Sequence, residues 1–168
     1  MPPKNITARP TTDFAKEGLF NVLGGKIDFE DIKVLELFSG SGSIGLEFVS
    51  RGAESVIGIE ISMQHIGYIK KVCTELDVKN YYLQKADVFK YLDSAKGSYD
   101  VVFADPPYAL DDLATLPDKV FAKDILHPGA YFILEHPEEH NFESHPRFVK
   151  EKKYGNVHFS FFEMPSEQ

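Results

Sequence analysis

A glycine-rich turn between a short apolar strand and a helix constrains the fold of this chain more than any other feature. The turn is Gly40-Ser41-Gly42-Ser43-Ile44-Gly45, and it follows the apolar residues Val34-Leu35. In the order strand, tight turn and helix N-terminus, such a pattern points backbone N–H groups toward a polar ligand. We therefore expect an α/β fold with a nucleoside-binding turn at the end of its first strand.

Strand and helix patterns alternate along the chain before a final hairpin. The predicted strands are 33–37, 55–60, 81–84, 100–104, 130–134, 148–154 and 157–163, with the last two joined at Gly155-Asn156. The predicted helices run from Thr12 or Asp13 to about Leu23, over 43–50, from Ser62, from about residue 86, and within 111–123. This alternation predicts a parallel sheet with helices on both faces, ending in an antiparallel hairpin.

The helix after Ser62 carries Ile66, Ile69, Cys73 and Leu76 at helical spacing. We therefore expect this stripe, with its cysteine, to lie in the core. A single cysteine excludes an intrachain disulfide framework and suits a reducing compartment.

Composition and charge narrow the class of protein further. No apolar run approaches the ~20 residues that cross a bilayer, and the N-terminus lacks the apolar core of a secretion signal. We predict one cytoplasmic domain over residues 1–168, with residues 1–12 extended. The net charge of −8 argues against indiscriminate nucleic-acid binding, but not against an enzyme with its positive charge on one face. The basic residues between Arg147 and Lys153 are more typical of a solvated face than of a site.

Two acidic residues follow the second and third strands. Glu60 lies 20 residues beyond Gly40, the spacing at which a carboxylate accepts hydrogen bonds from ribose hydroxyls. Asp87 either accepts adenine amino hydrogens or caps a helix. Because ligands bind at the carboxyl ends of parallel strands, these residues predict an adenosine site. They do not separate a dinucleotide from S-adenosylmethionine.

The segment Asp105-Pro106-Pro107-Tyr108 follows the fourth strand and indicates chemistry on a planar amine. Consecutive prolines stiffen the backbone, so that a carboxylate and its neighbouring carbonyls form a fixed set of acceptors. These acceptors can hold both hydrogens of an exocyclic NH₂ while the tyrosine ring stacks on the base. Alignment of that amine with an electrophilic methyl group requires no metal and no covalent nucleophile.

On these motifs the chain resembles the class I S-adenosylmethionine-dependent methyltransferases, and more narrowly the RsmD family. The resemblance rests on residues 9–13, residues 17–21, the stretch from Glu36 through the glycine turn to Glu47, residues 50–53 and Asp105–Tyr108. It implies a Rossmann-like, mostly parallel seven-stranded sheet with a C-terminal antiparallel hairpin. It also implies methyl transfer from S-adenosylmethionine to the exocyclic N2 amine of a guanine in small-subunit (16S) ribosomal RNA.

The resemblance also implies roles for individual residues. Those implied to contact the cofactor are Glu36, Phe38, Ser39, Gly40, Ser41, Gly42, Glu60, Ile61, Asp87 and Val88. The target guanine would be held by Asp105, Pro106, Pro107 and Tyr108, and the substrate opening would be flanked by Arg9, Thr11 and Thr12. Family members carry a longer basic segment before this last motif, whereas eight residues precede Arg9 here. We therefore expect a truncated N-terminus with less RNA-binding charge.

Other interpretations stay open at this point. The same chemistry could act on an adenine amine in DNA or on a glutamine amide in a protein. A NAD-dependent oxidoreductase would explain the glycine turn and Glu60 but would leave Asp105–Tyr108 without a use. Residues 136–140 spell H-x-x-E-H, but Pro137 opposes the helix a zinc site of that kind needs, so we predict no metal. Because a base must be extruded to reach such a pocket, we expect ribosomal RNA as the partner, within a small-subunit ribonucleoprotein.

Overall fold

The computed structural model describes residues 12–166, which form one seven-stranded sheet with helices on both faces. The helices are α1 (Asp13–Gly24), α2 (Ser43–Ser50), α3 (Met63–Glu75), α4 (Val88–Asp93) and α5 (Leu116–Phe121), with a 3-10 turn at Leu113–Thr115. The strands are β1 (Lys33–Leu37), β2 (Ser55–Glu60), β3 (Tyr81–Lys85), β4 (Tyr99–Ala104), β5 (Leu126–His136), β6 (Phe148–Tyr154) and β7 (Val157–Glu163).

The strand order is β3-β2-β1-β4-β5-β7-β6. Strands β1 to β5 pair in parallel, whereas β7 runs antiparallel to both β5 and β6. The Rossmann-like sheet with a C-terminal antiparallel hairpin is thereby confirmed. Because the order reverses between β1 and β4, a crevice opens outside the carboxyl ends of these two strands.

The central strands are buried on both faces, as expected of a parallel sheet covered by helices. In β1 every residue after Lys33 is buried. Val34 belongs to the apolar cluster that includes α1, α2 and α3, whereas Leu35 and Leu37 belong to the cluster of α4 and α5. The packing of β1 on both faces therefore fixes the position of the residues that follow it.

Three helices begin at side-chain caps that point toward one edge of the sheet. The side chains of Thr12, Ser62 and Asp87 each accept a hydrogen bond from a backbone N–H in the first turn of α1, α3 and α4. Such caps stabilise a helix by about 1 kcal/mol each. The caps at Ser62 and Asp87 also fix where the chain turns from β2 into α3 and from β3 into α4.

The structure shifts the predicted bounds of β3, β4 and α4 by one or two residues, and it corrects two further predictions. Leu76 is 63% exposed because α3 ends at Glu75, so the apolar stripe of this helix ends at Cys73, which is buried as predicted. Strand β5 begins at Leu126 rather than at Ala130, because Gly129 lies within the strand and donates a hydrogen bond to Met164. Within residues 12–166 no helix has the length and apolarity needed to cross a membrane.

Candidate active site

A pocket of about 580 Å³ lies at the carboxyl ends of β1, β2, β3 and β4. Sequence-predicted residues from four separate segments line it: Glu36, Phe38, Ser39, Gly40, Ser41, Glu60, Ile61, Asp87 and Asp105 to Tyr108. Two predicted cofactor residues are not part of its lining. Gly42 is buried at the start of α2, and the side chain of Val88 is packed in the core. The fold thus brings together most, but not all, of the predicted site.

The glycine turn that forms one wall of the pocket has an unusual backbone. Gly40 and Gly42 have φ angles of 58° and 79°, a region that glycine enters without steric cost. Phe38, immediately before the turn, also has a positive φ of 60°. A non-glycine residue held in this region costs of order 1–3 kcal/mol and is typical of functional sites. The backbone conformation after β1 therefore costs stability, which indicates a functional role for this segment.

Glu36 supports the turn from below. Its carboxylate accepts a hydrogen bond from the backbone N–H of Gly45 at 2.9 Å and another from the hydroxyl of Tyr81 on β3. Burial raises the pKa of this carboxyl to about 7, against the opposing effect of these hydrogen bonds. Glu36 therefore lies at the base of the pocket and is already bonded to the fold.

Glu60 supports the other end of the turn. One carboxylate oxygen accepts from the backbone N–H of Gly40 at 2.8 Å, and the other accepts from that of Ser62 at 2.8 Å. The side chain also lies 3.2 Å from Nδ1 of His65. Each carboxylate oxygen keeps a second lone pair, so Glu60 can still accept hydrogen bonds from a ligand in the pocket.

Asp87 faces the same pocket while also capping a helix. Its Oδ1 accepts a hydrogen bond from the backbone N–H of Lys90 at 3.1 Å, so the capping role is present. Its second carboxylate oxygen is not used by that cap, and the predicted contact with an adenine stays a prediction.

The segment from Asp105 to Tyr108 forms the wall opposite Asp87 and Glu60. The backbone N–H of Asp105 donates to the carbonyl of Leu37 at 3.3 Å, which ties this segment to the end of β1. Pro106 is buried, whereas Asp105 and Tyr108 are half-buried. The hydroxyl of Tyr108 lies 3.5 Å from a carboxylate oxygen of Glu135, which is fully buried at the end of β5. The acceptors and the ring are thus anchored to both neighbouring strands.

His65 is a pocket residue that the sequence interpretation missed. It is only 6% exposed, lies beside Glu60 and lines the pocket. Its position in the first turn of α3, three residues after the Ser62 cap, was the available signal. Glu135 was also missed, because its contact with Tyr108 depends on the packing of β5 beside β4.

The structure gives little information on the predicted substrate-binding residues. Arg9 and Thr11 lie outside the described residues, and Thr12 acts as the cap of α1.

Among residues 12–166 no group of three or more metal-ligating side chains comes together. His136 ends β5 and is bonded to Ser160 and Pro137, so the H-x-x-E-H residues do not share a helix.

Sequence comparison identifies relatives for nearly the whole chain. The profile of the family described as "Conserved hypothetical protein 95" matches residues 1–163. The ribosomal RNA small subunit methyltransferase D of Buchnera aphidicola (subsp. Baizongia pistaciae) is 32% identical over 163 residues, spanning 95% of this chain and 82% of that protein.

Solved structures share the architecture. A hypothetical protein from Thermus thermophilus is similar with a TM-score of 0.83 at 25% identity, covering 94% of this chain and 90% of that one. An RNA methyltransferase from Salinibacter ruber, solved with S-adenosyl-L-homocysteine, has a TM-score of 0.72 at 16% identity, with 95% and 96% coverage. At that identity the second likeness concerns the fold alone.

Proposed function

Because this chain belongs to the conserved hypothetical protein 95 family, the family of the RsmD methyltransferases, we propose that it methylates the exocyclic N2 amine of a guanine in small-subunit (16S) ribosomal RNA. It is an S-adenosylmethionine-dependent RNA methyltransferase that acts on ribosomal RNA. The guanine, its N2 atom and the small-subunit RNA are the proposed part. One observation supports transfer to an exocyclic amine: Asp105–Tyr108 and the glycine turn line the same pocket. The guanine and the small-subunit RNA follow from the resemblance to the RsmD family.

The residues present fit S-adenosylmethionine. Glu60 and Asp87 place two carboxylates in one pocket, where they can accept hydrogen bonds from ribose hydroxyls and from an adenine amine. Between them, Ile61 is 60% exposed and offers an apolar surface to an adenine ring. The turn from Ser39 to Ser41 would lie beside the methionine part. When bound, the cofactor supplies a methyl group activated by a positively charged sulfur.

We assign the target amine to the acceptors at Asp105. The carboxylate and the adjacent backbone carbonyls accept both amine hydrogens, which returns electron density to a nitrogen whose lone pair is delocalised into the ring. Tyr108 stacks on the base and fixes its plane. Holding the amine in this alignment lowers the entropic part of the barrier, and no charged nucleophile is needed.

The substrate base has to leave its stack to reach this pocket. Extrusion costs a few kcal/mol, and least for a base that is already unpaired. We therefore propose that the enzyme acts on structured small-subunit RNA, in an assembled ribonucleoprotein particle. Methylation rates on small subunits and on the RNA extracted from them test this point: we expect the particle to react faster, and equal or slower reaction would contradict it.

The assignment of Asp105 is tested by the substitution Asp105→Ala. We expect methyl transfer to be lost while S-adenosylhomocysteine still binds, as measured by calorimetry. Asp111→Ala, on an exposed residue of the following loop, is the matched control and should remain active. Full activity of the Asp105 variant would remove this residue from the mechanism.

A further inference from the structure

A second groove, of about 390 Å³, lies between α1 and β6. It is lined by Phe14, Glu17, Gly18, Asn21, Val22 and Tyr154, and it shares no lining residue with the active-site pocket. The groove is shallow and open to solvent. Neither the chemistry at Asp105 nor the binding of the cofactor uses it.

Two aromatic rings form the apolar part of this groove. Phe14 is 66% exposed, and its ring meets that of Tyr154 edge to face at a centroid distance of 5.6 Å. Tyr154 is fixed against α1, since a Cβ atom at Gly18 would lie only 2.2 Å from its ring. The anchored ring of Tyr154 thus supports Phe14 edge to face, and the exposed ring of Phe14 offers a face on which an unpaired base can stack.

Three lysines continue this surface, two on β6 and one after α1. Lys150, Lys152 and Tyr154 share one face of the strand because side chains alternate, and Lys26 follows α1. Burial and the positive charges of Lys26 and Lys152 lower the pKa of Lys150. Within residues 12–166, none of the three has an ion pair with a carboxylate. In a chain with a net charge of −8, this is a local concentration of positive charge.

The groove opens at the same edge of the sheet as the active site. Tyr154 pairs with Val157, and the next residue of β7, His158, pairs with His136 at the carboxyl end of β5. On the other side, Lys16 of α1 donates a hydrogen bond at 3.2 Å to Ser43, which lines the active-site pocket. A single RNA strand can therefore contact both places.

We propose that the α1–β6 groove binds an unpaired nucleotide of the RNA substrate outside the active site. Its base stacks on the exposed ring of Phe14, which Tyr154 contacts edge to face, and the phosphates beside it lie along Lys26, Lys150 and Lys152. Glu17 and Asn21 face the base, where a carboxylate and an amide can accept hydrogen bonds from a base amine. This inference rests on the proposed function.

The test compares two matched pairs of substitutions. Lys150→Gln with Lys152→Gln removes two charges from the groove, whereas Lys70→Gln with Lys71→Gln removes two exposed charges from the distal half of α3. KM and kcat are measured on small subunits and on their extracted RNA at several salt concentrations. We expect the groove pair to raise KM with kcat retained, and to reduce the slope of log KM against log salt by about 1.4. The α3 pair should match the wild type.

The aromatic part is tested by Phe14→Ala, with Phe14→Tyr as the variant that keeps a ring. Losing the stack should raise KM about tenfold without changing the salt slope, and the tyrosine variant should restore KM. Unchanged S-adenosylhomocysteine affinity shows that each variant is folded.

The outcomes separate this inference from the proposed function. If the wild type methylates RNA but the groove pair behaves like the α3 pair, the groove does not bind RNA and the inference is wrong. If the groove pair is defective only on the assembled particle, the surface contacts a ribosomal protein and the inference is again wrong. A wild type that leaves ribosomal RNA unmethylated fails the proposed function itself.

Discussion

Glu36 and Glu60 hold opposite ends of the same glycine turn: the first accepts a hydrogen bond from Gly45 at 2.9 Å and the second from Gly40 at 2.8 Å. The two carboxylates end neighbouring strands, so the sheet itself sets the shape of the turn. Both side chains line the pocket, but Glu36 lies at its base and is also bonded to Tyr81. Cofactor affinity should therefore depend on residues that a ligand contacts and on others that only support the turn.

Glu60→Gln tests a residue that supports the turn and is also expected to contact the cofactor. An amide presents only one acceptor oxygen, so the variant loses a hydrogen bond either to the backbone or to the ribose. Because hydrogen bonds to charged groups are worth about 1.5–3 kcal/mol, S-adenosylhomocysteine binding should weaken roughly 10- to 100-fold in calorimetry. Glu75→Gln, at the exposed end of α3, should bind normally. Wild-type affinity in the Glu60 variant would contradict this role.

Glu36 should make stability depend on pH. Its folded pKa of about 7 lies above the ordinary 4.5, so the folded protein holds a proton that the unfolded chain has lost between these values. The free energy of unfolding should therefore fall as pH rises from about 4.5 to 7, by roughly 3 kcal/mol from this group. Urea unfolding of the wild type and of Glu36→Gln at pH 5 and pH 8 isolates the contribution of Glu36 to this pH dependence. The variant should lose less stability than the wild type, and parallel curves would contradict the burial argument.

Gly42 tests the geometry of the turn. A Cβ atom there would lie 2.8 Å from Ile69 at a φ of +79°, so Gly42→Ala should destabilise the protein by about 1–3 kcal/mol and weaken cofactor binding. Gly67→Ala is the control, because a Cβ at Gly67 meets nothing within 4 Å and helix α3 gains a better helix former. Thermal unfolding should therefore shift down in the first variant and slightly up in the second. A tolerated Gly42→Ala would mean that the turn is not tightly packed.

Tyr108 separates stacking from hydrogen bonding. Tyr108→Phe keeps the ring and removes the hydroxyl that lies 3.5 Å from Glu135, so kcat/KM should fall only a few-fold. Tyr108→Ala removes the stacking surface, and kcat/KM should fall by about 5- to 150-fold, since stacking on one base is worth about 1–3 kcal/mol. Steady-state methylation assays measure both. Equal losses in the two variants would assign the effect to the hydroxyl instead.

Much of the fold was predictable because its signals are local. Alternating apolar runs and glycine turns gave the bounds of β1, β2, β6 and β7 as the structure has them. Capping chemistry predicted Ser62 as the cap of α3 and either Thr12 or Asp13 as the cap of α1, where the structure has Thr12. The sequence also predicted that the candidate site residues lie close together, because the carboxyl ends of parallel strands meet at one edge.

The errors arose where the outcome depends on tertiary contacts. Strand β5 begins before Gly129, and this glycine is held in the strand by a hydrogen bond to Met164 near the end of the described chain. The sequence prediction began the strand only at residue 130, because this contact is not local. The hydrogen bond from Tyr81 to Glu36 joins β3 to β1, and β2 lies between these two strands in the sheet. No spacing rule connects residues 45 positions apart in the chain.

The most direct test of the proposed function is the identity of the methylated nucleoside. Small subunits lacking the modification are incubated with the protein and S-adenosylmethionine carrying a deuterated methyl group, and the digested RNA is analysed by mass spectrometry. We predict one labelled product, N2-methylguanosine from the 16S RNA, that is absent with Asp105→Ala. Label in N6-methyladenosine, in a protein glutamine or in no ribosomal RNA nucleoside would contradict the account.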